Sequence, residues 1–95
     1  MSEEQQLHDE LHRSQQAELI LKNPLVKEVL DSLEKDIISA WENTPMRDAE
    51  AREKAWMYYL TVRKFRNTFI NFIETGRMAS MQLETKRKLR IFGGR

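Results

Sequence analysis

The feature that most constrains this chain is a long run of apolar side chains at alternating spacings of four and three residues. It begins at Ala51 and continues without a break to Phe72. Its members are Ala51, Ala55, Tyr58, Val62, Phe65, Phe69 and Phe72. Because side chains three and four residues apart lie on one face of an α-helix, the spacing predicts one long amphipathic helix. A strand would alternate every second residue instead.

The residues around this helix indicate where it begins and ends. Asp48 is suited to cap its N-terminus, with Glu50 in the first turn, where the helix dipole favours negative charge. An alternative start has Thr44 as the cap and Pro45 at the first helical position, and the sequence leaves both starts open. Gly76 predicts the end, because glycine readily adopts the left-handed conformation of a helix C-cap.

A second amphipathic helix is predicted before it, from Pro24 to about Glu42, with Asn23 as its N-cap. Its apolar positions again follow the helical period, at Val26, Leu30, Leu33, Ile37 and Ala40, with Val29, Ile38 and Trp41 widening the stripe. The whole chain has only 3 Gly and 2 Pro, which favours a few long helices with few turns. The two helices are expected to form an antiparallel hairpin.

The chain has a net charge of only +1, but its charge is unevenly distributed. We expect three segments: an acidic, helical N-terminal segment (1–22), partly ordered without a partner; the hairpin core (23–76); and a basic C-terminal segment (77–95). The last is expected to form a helix to about Leu89 and an extended tail from Arg90 onward. The predicted fold class is therefore all-α, a helical hairpin with a flanking N-terminal helix and a basic C-terminal helix and tail.

The apolar arc of the long helix is wider than one partner helix can cover. Leaving Trp56, Tyr59, Ile70 and Ile73 in water would forgo several kcal/mol, since each large apolar side chain contributes roughly 1.5–3 kcal/mol when buried. We therefore expect an oligomeric bundle or a complex, while burial by the N-terminal segment stays open as an alternative. The candidate interface residues are Trp56, Tyr59, Leu60, Phe65, Phe69, Ile70 and Ile73.

The C-terminal tail is a candidate anchor for a partner, because its basic residues alternate with apolar ones. The candidate residues are Lys86, Arg87, Lys88, Arg90, Ile91, Phe92 and Arg95. Such a segment suits an acidic protein surface, and contacts to nucleic acid are an alternative. A second basic group, Arg63, Lys64 and Arg66, flanks Phe65, but we expect a solvated face there because Phe65 lies on the apolar stripe.

The remaining residue patterns argue against several functional classes. His8 and His12 are one helical turn apart, but a metal site needs further ligands, so neither a metal nor a cofactor is expected. With no nucleophile–base pair and no evident cleft, we expect a non-enzymatic protein without a small-molecule substrate. No apolar run approaches the roughly 18 residues of a membrane span, and the acidic N-terminus is unlike a signal peptide. A membrane partner and secretion are therefore not expected.

Three short motifs resemble a pattern found in small helical proteins of tailed bacteriophages. They are Asn23-Pro24 before a helix containing Trp41, then Thr44-Pro45-x-x-Asp48-x-Glu50-x-Arg52-Glu53-x-x-Trp56, then Glu74-Thr75-Gly76. The resemblance covers residues 17–80 approximately. It implies a phage origin, with a location in the host cytoplasm or the virion, and a role in virion assembly or DNA packaging. The basic tail lies outside the shared pattern, and a small phage inhibitor of a host protein is a further alternative.

Overall fold

The computed structural model describes residues 2–92 and consists of three α-helices. They are α1 (Glu3–Lys22), α2 (Pro24–Glu42) and α3 (Ala49–Phe92). Within residues 2–92 there is no β-strand, so the predicted all-α class is confirmed. Arg95, one of the predicted tail residues, lies outside the described residues.

The chain divides into two compact units that share the 44-residue helix α3. The hairpin unit, Leu21–Thr68, pairs α2 with the N-terminal part of α3. The terminal unit, residues 2–20 and 69–92 of the described chain, pairs α1 with the C-terminal part of α3. The hairpin unit is one continuous segment, whereas the terminal unit brings together the two ends of the described chain.

Helix α2 begins and ends where its sequence predicts. The Asn23 side-chain oxygen accepts hydrogen bonds from the backbone N–H groups of Leu25 (2.9 Å) and Val26 (3.2 Å), and Pro24 occupies the first turn. These bonds satisfy N–H groups that have no partner inside the helix. The predicted cap at Asn23 is thus confirmed.

The turn between α2 and α3 decides between the two predicted starts of α3. The Asp48 carboxylate accepts a hydrogen bond from the Ala51 N–H at 3.1 Å, so Asp48 is the cap. Thr44 serves the preceding helix instead, since its hydroxyl donates to the Ala40 carbonyl at 2.6 Å.

Arg52, near the start of α3, stabilises the connection between α2 and α3. One guanidinium nitrogen donates to the carbonyl oxygens of Thr44 (3.0 Å) and Trp41 (3.4 Å). The same guanidinium lies 4.1 Å from the centre of the Trp41 ring, a cation–π contact. One side chain therefore donates to a carbonyl group in the last turn of α2 and to one in the following turn, and it also covers an aromatic ring.

We predict that Arg52→Lys lowers the free energy of unfolding by about 1–2 kcal/mol, because lysine keeps the charge but not the planar, multi-donor group. Urea unfolding followed by circular dichroism measures the loss. Arg47→Lys, at an exposed position of the same turn, is the control and should change the free energy by less than about 0.5 kcal/mol. Equal effects of the two substitutions would contradict the role of Arg52.

The seam of the hairpin unit is narrow and is shifted from the predicted stripe. Leu30 and Ala55 are buried, and Tyr59 and Val62 are partly buried. The next seam position on α3 is Arg66, whose terminal nitrogen lies 3.0 Å from Glu34 and 3.2 Å from Asp31, both on α2. The seam therefore contains an ion-pair cluster where an apolar residue was expected.

Three sequence predictions about this seam are wrong. Tyr58 and Phe65 were expected on the core stripe but are 62% and 55% exposed. Leu33 of α2 is 44% exposed, since the neighbouring Glu34 faces the seam. Arg66 was expected on a solvated face but is partly buried. The physical reason is that Phe65 and Arg66 lie three and four residues after Val62, so either could follow it in the seam. Arg66 occupies the seam because it pairs with the carboxylates of α2.

In the terminal unit α1 runs antiparallel to the C-terminal part of α3. Glu3 pairs with Lys86 (3.5 Å) and Glu4 pairs with Arg90 (2.7 Å), so the start of α1 lies beside the end of α3. The buried seam residues are mostly small: Leu7, Ser14, Ala17, Gly76 and Ala79. Helix α1 is continuous from Glu3 to Lys22, so the predicted helical character of the N-terminal segment is confirmed.

Gly76 does not end the helix, and the predicted stop there is wrong. Helix α3 continues through it to Phe92, so residues 90–92 are helical where an extended tail was predicted. Gly76 is buried against α1, and a Cβ built on it would overlap the side chain of Ser14 and approach the Glu10 carbonyl oxygen to 3.2 Å. Glycine at this position allows the two backbones to approach closely. Glycine is less favourable than alanine in a helix by about 1 kcal/mol. This cost does not break α3, because the helix is packed against other helices both before and after Gly76.

We predict that Gly76→Ala destabilises the protein by about 1–3 kcal/mol, because the added methyl group overpacks the seam. Thermal unfolding by circular dichroism tests this. If Gly76 were only a weak helix former, alanine would stabilise the protein by about 1 kcal/mol, so the sign of the change is decisive. Thr75→Ala, at the exposed neighbouring position, is the control and should not destabilise.

Candidate association surface

An open apolar groove lies between α2 and α3 in the hairpin unit. We call it the hairpin groove, and it has a volume of about 510 Å³. Its lining consists of Leu25, Val26, Val29, Leu30, Leu33, Thr61, Val62 and Phe65. None of these side chains carries a charge. The groove therefore offers apolar contact but no group suited to acid–base or metal chemistry.

The walls of the hairpin groove are large side chains that the chain leaves in contact with water. Leu25 is 66% exposed, Phe65 55% and Val29 49%. They stay exposed because the seam of a two-helix hairpin covers one stripe of each helix, and here that stripe runs through Leu30 and Val62. A surface of this kind on a small protein is typical of an interaction site.

A second apolar groove, the aromatic groove, has a volume of about 260 Å³ and shares no lining residue with the first. It is lined by Ile37, Ile38, Trp41, Ala55, Trp56 and Tyr59. The rings of Trp56 and Tyr59 stack with centroids 5.7 Å apart. Arg63 lies 5.7 Å from the Tyr59 ring, and Arg52 covers Trp41, so cationic groups border this groove.

The structure distributes the seven predicted interface residues over both units. Trp56, Leu60, Phe65 and Ile70 are exposed, while Tyr59, Phe69 and Ile73 are partly buried; Ile73 lines a shallow depression between α1 and α3. The wide apolar arc of α3 is therefore not fully covered within a single chain. Trp56 and Tyr59 lie in the aromatic groove and Phe65 lies in the hairpin groove, so the structure does not join these three into one patch.

Helix α2 contributes to the surface, although its residues were not among those predicted from the sequence. Leu25, Val29 and Leu33 form one wall of the hairpin groove, although the candidate interface was placed on α3 alone. A usable signal was present, since the apolar stripe of α2 is itself wider than one seam. Like α3, α2 therefore carries more apolar surface than a single neighbouring helix covers.

The described part of the predicted basic tail, residues 86–92, forms the last turns of α3 rather than an extended segment. Besides the pairs of Lys86 with Glu3 and of Arg90 with Glu4, Arg87 pairs with Glu84 at 2.7 Å. Ile91 is 60% exposed and Phe92 85% exposed. The acidic start of α1 therefore offsets part of the basic charge that the sequence assigns to this end of the chain.

The ion pair at the end of the terminal unit perturbs Glu4. The hydrogen bond from Arg90, reinforced by its positive charge, lowers the pKa of Glu4 below its ordinary value of 4.5. When folding lowers the pKa of a carboxylate, the charged group stabilises the fold at pH values above its pKa in the unfolded chain. This contribution is lost as the pH falls through the lower pKa of the folded chain. Because Glu4 is exposed to solvent, the contribution is expected to be small.

We predict that Arg90→Gln raises the pKa of Glu4 toward its ordinary value, because the hydrogen bond and the adjacent charge are both removed. Titration of side-chain carboxyl carbons by NMR measures this directly. Arg87→Gln is the matched control: it should raise the pKa of Glu84, which Arg87 lowers, and leave that of Glu4 unchanged. An unchanged Glu4 titration in Arg90→Gln would show that the pair does not persist in solution.

His8 and His12 are both exposed on α1. Within residues 2–92 there is no cluster of three or more side chains suited to hold a metal ion. In the same part of the chain, no helix combines the length and the apolar character required to cross a membrane. No protein-family model matches the sequence, and no curated protein or solved structure shows significant similarity to it.

Proposed function

We propose that this chain is a non-enzymatic assembly protein whose hairpin unit pairs with a second copy of itself through the hairpin groove. The observation that carries the proposal is an uncharged, open groove of about 510 Å³ whose large side chains are left half-exposed. Its C-terminal segment is the proposed docking site for a partner protein.

A second copy suits the hairpin groove because one wall of the groove is a ridge of side chains that can pack into the same groove of the other copy. Leu25, Val29 and Leu33 are spaced by four residues and form a ridge along α2, while Phe65 borders the groove on α3. In a two-fold arrangement the same surface serves both copies, so each ridge lies in the groove of the other. The hairpin unit carries near-equal numbers of acidic and basic residues, which limits repulsion between copies.

The energetics favour a reversible dimer over a permanent one. A half-exposed leucine, valine or phenylalanine gains roughly 1 kcal/mol when its remaining surface is covered. Four such side chains in each of the two copies therefore contribute on the order of 8 kcal/mol to the dimer. The loss of translational and rotational freedom on association is of the same order. We therefore expect pairing that depends on protein concentration.

The resemblance to phage proteins supports virion assembly or DNA packaging as the setting, and this role stays a prediction. Nucleic-acid binding by the C-terminal segment is less favoured, because Lys86 and Arg90 already pair with carboxylates of α1 and would have to exchange them for phosphates. Inhibition of a host protein is untested and would use the same docking segment.

We predict that the wild-type chain shows a concentration-dependent increase in mass by sedimentation equilibrium. The double substitution Val29→Ser/Phe65→Ser should weaken the association at least about tenfold, because it removes apolar contacts from both walls of the groove. Circular dichroism should show unchanged helix content, since both side chains are about half-exposed in the single chain.

Trp56→Ser is the matched control, because it removes a large exposed side chain from the aromatic groove and not from the hairpin groove. It should leave the association constant of the wild type unchanged. A wild-type chain that is monomeric at every concentration would refute self-association. Loss of pairing in Trp56→Ser alone would assign the interface to the aromatic groove.

A further inference from the structure

The C-terminal part of α3 carries an exposed apolar stripe, whose edge at Met81 also borders the depression between α1 and α3. We call it the outer stripe, and its members are Met78, Met81, Leu89 and Phe92. Their exposed fractions are 61%, 65%, 63% and 85%. At about 100° per residue these four side chains fall within an arc of about 80°. Gly76 and Ala79, which face α1, lie on the other side of the helix.

Basic side chains border the outer stripe. Lys88 and Arg77 are exposed on α3 and lie along one edge of the stripe by helical position. On the same segment, Arg87 is neutralised by Glu84, while Lys86 and Arg90 pair with the first residues of α1. The stripe is thus an apolar surface with two basic residues along one edge, of which Arg77 also lines the depression between α1 and α3. The exposed Glu74 precedes Met78 by one turn on the same face.

We propose that the outer stripe binds an acidic amphipathic helix of a partner protein, packed lengthwise along α3. This inference rests on the proposed docking function of the C-terminal segment and specifies the kind of partner and the way it binds. Because α3 stays helical to Phe92, the segment presents a stripe four turns long rather than a flexible anchor, and a second helix matches its shape. Apolar residues of the partner cover the stripe and its carboxylates meet Lys88 and Arg77.

The terminal unit already shows this mode of packing on the opposite side of the same segment. There α1, whose first turn contains Glu3 and Glu4, lies antiparallel to α3 and places these carboxylates beside Lys86 and Arg90. An acidic helix therefore fits along this basic segment within the chain itself, and the outer stripe offers a second face for another one.

Other occupants fit the outer stripe less well. A phosphate backbone would leave Met78, Met81, Leu89 and Phe92 without apolar contact. Anionic membranes are recognised by clusters of about four to eight basic residues, whereas the nearest carboxylates here neutralise most of the cations. A second copy packed antiparallel on the same stripe would bring Arg77 of one chain toward Lys88 of the other, which is repulsive.

The test uses two synthetic 18-residue helical peptides with leucine at heptad positions a and d. One carries glutamate at the flanking positions and the other carries lysine. Fluorescence anisotropy with the full chain should show that the acidic peptide binds at least about tenfold more tightly. Added salt should weaken this preference, because the flanking charges are exposed.

Met81→Ser/Leu89→Ser should reduce binding of the acidic peptide at least about tenfold, since it removes the centre of the stripe. Val29→Ser/Phe65→Ser is the control and should bind the peptide like the wild type. The two double variants lie in different units and are read by different assays. Failure of peptide docking is thus distinguishable from failure of self-association.

Several outcomes would overturn the inference. Equal affinity for the two peptides would remove the charge complementarity, and undiminished binding by Met81→Ser/Leu89→Ser would place the peptide elsewhere. Tight binding to phosphatidylserine vesicles or to duplex DNA, lost in that variant while neither peptide binds, would assign the stripe to a membrane or a nucleic acid. Loss of wild-type self-association in the same variant would assign it to a second copy.

Discussion

Each half of this protein is held together by one seam between two antiparallel helices, and such a seam covers only one stripe on each helix. In the part of the chain that the structure describes, the buried apolar residues are Leu7, Ala17, Leu30, Ala55 and Ala79, three of them alanines. Small side chains bring the backbones close together but bury little apolar surface each. Many of the larger apolar side chains, among them Leu25, Trp56 and Phe65, remain exposed outside the seams, and the candidate surfaces are made from them.

The two units achieve close packing in different ways. In the terminal unit, Ser14 packs directly on Gly76, and any larger residue at position 76 would separate the helices. In the hairpin unit, Arg66 sits in the seam and reaches Asp31 and Glu34, while its Nε is buried without a hydrogen-bond partner. A buried unsatisfied donor is unfavourable by about 1–3 kcal/mol. This polar cluster therefore specifies how the two helices pack more than it stabilises the fold. It specifies which face of α2 meets α3 and thereby leaves Leu33 and Phe65 outside.

These features connect a modest internal core with a dependence on partners. A chain of 95 residues buries a limited fraction of its surface by itself. Covering the hairpin groove and the outer stripe would add apolar burial that neither seam supplies, so association and stability are expected to be coupled. Exposed ion pairs such as Glu4–Arg90 contribute little stability. They align the helices while leaving the apolar contacts to decide affinity.

The sequence by itself determined the helical class and the N-terminal cap of α2, and it offered Asp48 as one of two possible caps for α3. Asn23 and Asp48 act through hydrogen bonds to residues two or three positions away, and such local bonds are readable from neighbouring residues. The tertiary structure alone decided which residues face the seams and where α3 ends. Phe65 and Arg66 fit the helical period equally well. Arg66 occupies the seam because it pairs with the carboxylates of α2. Gly76 is compatible with a C-cap or with a close helix contact, and only the presence of Ser14 on α1 made it the latter, because a contact across some sixty residues of sequence leaves no local signal.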